Sequence, residues 1–191
     1  APSLSLQESW QRGELTPSTS ILVLPETYLS VDFSSFRGLN LSDLAHVVFN
    51  QNAYYTYGDM SDNALNRLKS FYADPSVLQV LSISEDTHLF LSRNLGIADH
   101  RLSRVINAIE PIFKADQPKS KRIHWMPRKN PQHVQAVLQG LRHSNISHSQ
   151  GWVGEPLLNL SHAKVAERLN GAQLFLAFGH PEGFGLPIAE A

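Results

Sequence analysis

Cysteine is absent from all 191 residues. That excludes disulfide frameworks, thiolate nucleophiles and cysteine-ligated zinc, and it suits a reducing compartment. An excess of either charge is also missing: 16 Lys and Arg stand against 17 Asp and Glu, for a formal net charge of −1. No global field therefore draws the chain to nucleic acid or anionic lipid. No apolar run approaches the ~20 residues of a spanning helix, and no signal-peptide pattern opens the sequence. An initial methionine is lacking too. The chain starts at Ala1 and stops at Ala191 inside a helical pattern, so both ends read as cuts. There is no internal repeat and no low-complexity tract. What remains is an ordinary globular composition, 42% apolar and 17% charged, long enough for one core or parts of two domains.

Along the chain, short apolar runs alternate with helical patterns. The first twenty residues are polar and carry Ser and Pro, predicting an irregular lead-in. "ILVLPE" (21–26), "HVVFNQN" (46–52), "SVLQVLSIS" (76–84) and "SRVINAI" (103–109) predict strands, the first of them buried. "DNALNRLKSFY" (62–72) spaces Leu65, Leu68 and Phe71/Tyr72 as a helix does, with Ser61 or Asp62 as its cap. "SEDTHLFLSRNLG" (84–96) offers Ser84 as N-cap, acids in the first turn and Gly96 as stop. "EPIFKADQPKSK" (110–121) is polar, with two prolines, and reads as a linker between domains.

A new rhythm follows. "RIHWMP" (122–127) predicts a strand; 130–143 predicts a helix with Pro131 at its start and Val134, Val137, Leu138 and Leu141 on one face. "LSHAKVAERLNG" (160–171) is a second helix, ended by Asn170–Gly171, and "AQLFLAF" (172–178) is the most apolar strand. Strands alternating with helices predict an α/β chain with two parallel sheets, both incomplete.

The sequence closes on "HPEGFGLPIAEA" (180–191). Ligands of open parallel sheets sit beyond the carboxyl ends of the strands, against helix N-termini. Here "AQLFLAF" delivers the chain to such an end. Gly183 and Gly185 permit close backbone approach, Pro187 starts a helix, and the amides of about residues 184–187 face forward with the helix dipole behind them. That arrangement suits a phosphate. Glu182 and Glu190 repel phosphate, but a carboxylate accepts two hydrogen bonds from a vicinal diol. Phosphate on the amides with hydroxyls on either side describes a nucleotide sugar. A plain reading stands beside this one: acid in a first helical turn is stabilising whatever its function, and Gly–Pro turns are common.

"PEGFGLPIAEA" resembles the Glu–x7–Glu signature of retaining GT-B glycosyltransferases, the large group-1 (family 4-like) type with two Rossmann-like domains. The likeness extends back over "AERLNGAQLFLAF" and over 82–113, where Ser84–Glu85 begin a helix and Asn107 precedes the donor domain. It covers residues 76–191 well and 20–60 more weakly. The resemblance implies an internal fragment. Residues 1–109 would be the C-terminal part of the acceptor-side domain, 110–121 the interdomain linker, and 122–191 the N-terminal part of the donor domain.

It further implies transfer of a hexose from a nucleoside-diphosphate sugar, without metal or cofactor and with retention of anomeric configuration. The donor would lie between domains, held mainly by the second. Glu182 would contact the donor sugar and Glu190 the ribose. The backbone of Gly183, Phe184, Gly185 and Leu186 would receive the diphosphate. The family supplies an Arg and a Lys after the donor domain's first strand; here Arg128 matches by position, and Lys129 by proximity. From the residues alone, that pair reads as a solvated basic patch. The acceptor would be a glycan or a lipid-linked hydroxyl, in cytoplasmic polysaccharide biosynthesis with room for peripheral membrane association. Nucleic acid is not an expected partner. A non-catalytic nucleotide-sugar-binding protein and an epimerase or hydrolase of the same fold are the alternatives.

Other features carry less. None of the nine histidines, His143, His148 and His180 included, falls in a zinc-type spacing with a third ligand. Residues 143–150 read as a polar loop. Asn40, Asn145 and Asn159 begin N-x-S triplets of the kind chance produces in a Ser-rich chain. "FNQNAYYTYGD" (49–59) reads either as an acceptor-side wall of rings and amides or as a loop packed by Tyr54, Tyr55 and Tyr57.

Overall fold

Alternating strand and helix patterns build two parallel sheets, as a computed structural model of the chain shows for residues 6–28, 44–57, 62–144, 151–179 and 182–191. The chain divides into two compact units, Ala1–Asn107 and Ala108–Ala191, with segment 110–121 counted in the second. The fold is α/β.

In the first unit a short helix α1 (Leu6–Gln11) occupies part of the segment expected to be irregular. Four parallel strands follow, β1 (Ile21–Pro25), β2 (Ala45–Asn50), β3 (Val77–Ser82) and β4 (Leu102–Arg104), lying side by side in chain order. Helix α2 (Asp62–Ala73) joins β2 to β3, and α3 (Glu85–Leu95) joins β3 to β4. Crossovers of one hand running in one direction put both helices on one face of the sheet. Leu68 and Tyr72 of α2 and Leu91 of α3 accordingly share a core with Leu24, Val48, Val80 and Leu102 of the strands. Burying those side chains is the dominant stabilisation of the unit.

The opposite face is only partly covered: Ile21 and Val23 of β1 are each 59% exposed. The apolar run there predicted a buried strand, yet among the described residues β1 is an edge with one covered face. Local signals fare better at α3. Ser84 takes the extended cap conformation and its Oγ accepts from the Thr87 amide at 3.1 Å; Gly96 ends the helix at φ 68°. Strand β4 is shorter than its sequence pattern. β3 ends at Ser82, which pairs with Arg104, so beyond Val105 the chain has no strand to pair with among the described residues, and Ile106 is exposed.

The second unit runs β5 (Ser120–Trp125), α4 (Pro131–His143), β6 (Val153–Pro156), α5 (His162–Asn170), β7 (Ala172–Leu176) and α6 (Leu186–Glu190). Its strands are parallel in the order β6-β5-β7. Ile123, His124 and Trp125 of the central strand are buried, with Val134 from α4 and Ala166 and Leu169 from α5. The face expected of α4 is only partly covered, since Val137 is 41% exposed. Strand β6 was not foreseen. It reads "VGEP", with Gly and Pro in place of an apolar run, and an edge position tolerates both. β7 is the reverse case: the most apolar run is an edge strand among the described residues, with Leu174 45% exposed.

Strand order reverses at β5. The chain goes from β5 outward to β6, then crosses back to place β7 on the other side. A reversal of this kind opens a crevice beyond the carboxyl ends of the two strands that flank it, here β5 and β7. Among the described residues no helix is long and apolar enough to cross a membrane.

Candidate functional site

Both loops at that crevice carry the residues singled out in the sequence. After β5 the chain passes through Met126 and Pro127 to Arg128 and Lys129, then turns at Asn130 into α4. Asn130 sits in the left-handed region at φ 47° and ψ 55°, which asparagine tolerates better than most residues. Pro131 then starts the helix with its φ already set. After β7 the chain runs through Phe178 and Gly179 to Glu182, then to Gly185, whose φ of 78° makes the turn into α6. A side chain at Gly185 would be strained there.

Two consecutive residues of the first loop reach across to the second. Asn130 Nδ2 donates to the carbonyl oxygen of Phe178 at 2.6 Å, and Lys129 Nζ pairs with Glu182 Oε1. Gly179 makes room for this pair. A Cβ there would overlap Glu182 Oε1, so a larger residue would push the carboxylate from its present place beside Lys129. The side chains of Lys129 and Glu182 are 40% and 25% exposed. An ion pair this accessible contributes about 1 kcal/mol or less, so an anionic ligand can replace Glu182 as the partner of Lys129 at small cost.

Arg128 is placed differently. It is exposed, and it has no ion pair or hydrogen bond among the described residues. The two basic neighbours therefore differ: Lys129 is paired with Glu182, while Arg128 is exposed and has no partner among the described residues. In the glycine loop, Gly183 and Gly185 are buried, Phe184 is half-buried and Leu186 is exposed. The backbone N–H groups of Phe184, Gly185 and Leu186 meet no acceptor among the described residues. Pro187 is the second residue of α6 and brings no N–H of its own. The Gly183 N–H also meets no acceptor among the described residues, so the donating set is 183–186, and of the amides expected only that of 187 is missing.

The two glutamates do not share a partner. Glu190, at the last residue of α6, has its side chain 14% exposed and lies with Oε1 3.6 Å from His162 Nε2. His162 opens α5, which Ser161 caps by accepting the Lys164 amide at 3.3 Å. Asn130, Gly179 and His162 were not picked out from the sequence. Only Asn130 carried a local signal, an Asn–Pro step at a helix start.

The aromatic–amide run of the first unit spends most of its polar groups internally. Asn50 donates to the Tyr72 hydroxyl at 3.2 Å, Asn52 Oδ1 accepts the Tyr54 amide at 3.0 Å, and Tyr54 donates to Asp86 at 2.8 Å. The bond to Asp86, with that residue's charge, holds the Tyr54 phenol above its ordinary range, and burial pushes the Tyr72 phenol up. Tyr54 and Tyr55 are 39% and 59% exposed. Gly58, Asp59, Asn40, Asn145, His148 and His180 lie outside the described residues. Among those described, no three His, Asp or Glu side chains converge as metal ligands.

No protein-family model matches the chain, and no curated protein is significantly similar to it.

Proposed function

We propose that the second unit binds a nucleoside-diphosphate sugar and that the protein is a retaining glycosyltransferase of GT-B architecture. One observation carries the reading. At the switch point of a parallel sheet, Lys129 and Glu182 meet across two loops that are 53 residues apart in the chain, beside a loop whose amides at 183–186 meet no acceptor among the described residues. Positive charge, forward-facing amides and a carboxylate are what a sugar joined to a diphosphate requires.

In this reading the diphosphate lies on the amides of 183–186 and displaces Glu182 from Lys129. Arg128 closes over it. Glu182, released, accepts from hydroxyls of the donor sugar, and Glu190 accepts from the ribose. The bond between the anomeric carbon and the phosphate oxygen breaks. The acceptor hydroxyl forms a bond to that carbon from the same face and passes its proton to the departing phosphate. Arg128, Lys129 and the amides stabilise the charge that develops on the leaving group. The acceptor is a glycan or lipid-linked hydroxyl, and the setting is cytoplasmic.

Incubation of the intact protein with radiolabelled nucleoside-diphosphate sugars and a glycan mixture tests this. Transfer with a retained anomeric configuration by NMR is the expected result. Release of free sugar alone would make the protein a hydrolase, and binding without turnover a nucleotide-sugar-binding protein.

The position of Gly179 adds a sharper expectation. Gly179→Ala forces the carboxylate of Glu182 away from Lys129 while leaving the strands untouched. The unfolding free energy should change by no more than about 0.5 kcal/mol, and sugar transfer should fall roughly tenfold because the carboxylate is misplaced. Unchanged turnover in this variant would separate Glu182 from the reaction.

A further inference from the structure

We infer that Glu182 and Lys129 form an exchangeable pair that makes the site prefer a sugar-bearing donor to the spent diphosphate. This rests on the reading above, in which Lys129 receives the diphosphate and Glu182 the donor sugar. Lys129 Nζ donates to Glu182 Oε1 and joins the loops that follow β5 and β7. The next residue makes a second link, Asn130 Nδ2 donating to the Phe178 carbonyl oxygen at 2.6 Å. That link uses neither charge, so the ion pair can open while the two loops stay joined.

The pair opens readily. Both side chains reach solvent, and an ion pair so placed shifts an equilibrium by roughly fivefold at most. Among the described residues, neither has a second ionic partner to hold it. The carboxylate lies where a Cβ of residue 179 would stand, a place that Gly179 leaves to it. Directly after Glu182 come the amides of 183–186, which meet no acceptor among the described residues. An anion on those amides adjoins Glu182, competes with it for Lys129 and repels its charge.

Donor and product differ in what they give the displaced carboxylate. Hydroxyls of a sugar donate to it in place of the Lys129 N–H, and the open arrangement is held. A diphosphate without its sugar offers the carboxylate no donor. Tethered beside Lys129, Glu182 then acts as an intramolecular competitor at high effective concentration. Glu182 therefore opposes the spent diphosphate and supports the loaded donor, through one and the same lysine.

The test is calorimetric, on the intact protein. Uridine, guanosine and adenosine diphosphates are titrated first. The tightest is compared with its glucose, galactose and mannose derivatives, and the best binder of these serves as donor. Glu182→Gln should tighten the free diphosphate roughly threefold and should not tighten the donor. In a Lys129→Ala background there is nothing to compete for, and Glu182→Gln should no longer tighten the diphosphate. Gly179→Ala keeps the charge but moves the carboxylate off Lys129, and should also tighten the diphosphate roughly threefold. An equal gain with and without Lys129, and none in Gly179→Ala, would mean plain charge repulsion and overturns the exchange. So does an equal gain for diphosphate and donor, which leaves nothing to discriminate. Lys129→Ala alone separates this inference from the reading beneath it. If it weakens the diphosphate by roughly tenfold or more while Glu182→Gln has no effect, the exchange falls and the site stands. If Lys129→Ala leaves diphosphate binding unchanged, both fall.

Discussion

Alanine at Arg128 is expected to lower kcat/KM for sugar transfer by roughly two orders of magnitude, about 3 kcal/mol of transition-state stabilisation. The size follows from what the guanidinium is free to do. Arg128 is exposed and unpaired among the described residues, so removing it breaks no contact of the fold. Its far-UV circular dichroism and unfolding midpoint should match the wild type. Under the proposed function the loss should be confined to the moment at which negative charge grows on the departing diphosphate, where a planar fork of donors is worth most. Arg128→Lys should recover part of the rate by restoring the charge without the fork. Arg142→Ala, at an exposed arginine in the last turn of α4, is the control and should leave kinetics unchanged. Normal kinetics in Arg128→Ala would place the diphosphate elsewhere.

That free guanidinium was legible in the sequence only as one of two basic neighbours. The residues gave no sign that Lys129 would be paired and Arg128 left without a partner. The distinction depends on Glu182, 53 residues away, and on a strand order that no local pattern carries. The α/β class was legible because strand and helix periods alternate along the chain, and α3 was legible to within a residue because Ser84 and Gly96 are local signals for its two ends. Edge positions were not. Ile21, Val23 and Leu174 have the side chains of buried strands, and whether a strand is central depends on its neighbours. β6 lacked any apolar run because an exposed edge demands none.

The glycine loop was the most legible part of the site, since its turn chemistry lies within a few consecutive residues. Gly185 needs its positive φ locally, and the amides of 183–186 meet no acceptor among the described residues. The supports of that loop were hidden. Gly179 matters through the carboxylate it admits, and Asn130 through a carbonyl 48 residues on. Each supports the site through tertiary structure.

Separating Glu182 from Glu190 requires a ligand that lacks the sugar. A nucleoside diphosphate keeps the ribose and the phosphates, so under the proposed function it should meet Glu190 and Lys129 and offer nothing to Glu182. The ribose contact exists in ground and transition states alike, and uniform binding of that kind shows in KM. Glu190→Gln should therefore weaken the free diphosphate roughly tenfold, the loss of one charged hydrogen-bond acceptor, and largely spare kcat. Under the proposed function Glu182 faces the sugar whose anomeric carbon becomes positive, so its contribution should grow towards the transition state. Glu182→Gln should lower kcat by roughly a hundredfold, on the scale of losing one electrostatic stabiliser. The ion pair adds a directional signature. In the unliganded protein Glu182 holds Lys129, and the diphosphate must take that partner away. Neutralising Glu182 removes the competitor, so Glu182→Gln should bind the free diphosphate as tightly as the wild type or slightly more tightly, by a few-fold at most. Calorimetric titration of both variants decides between the roles. If Glu182→Gln loses affinity for the diphosphate and Glu190→Gln does not, the carboxylates are assigned in the wrong order, and Lys129 is held by the residue that binds the ribose.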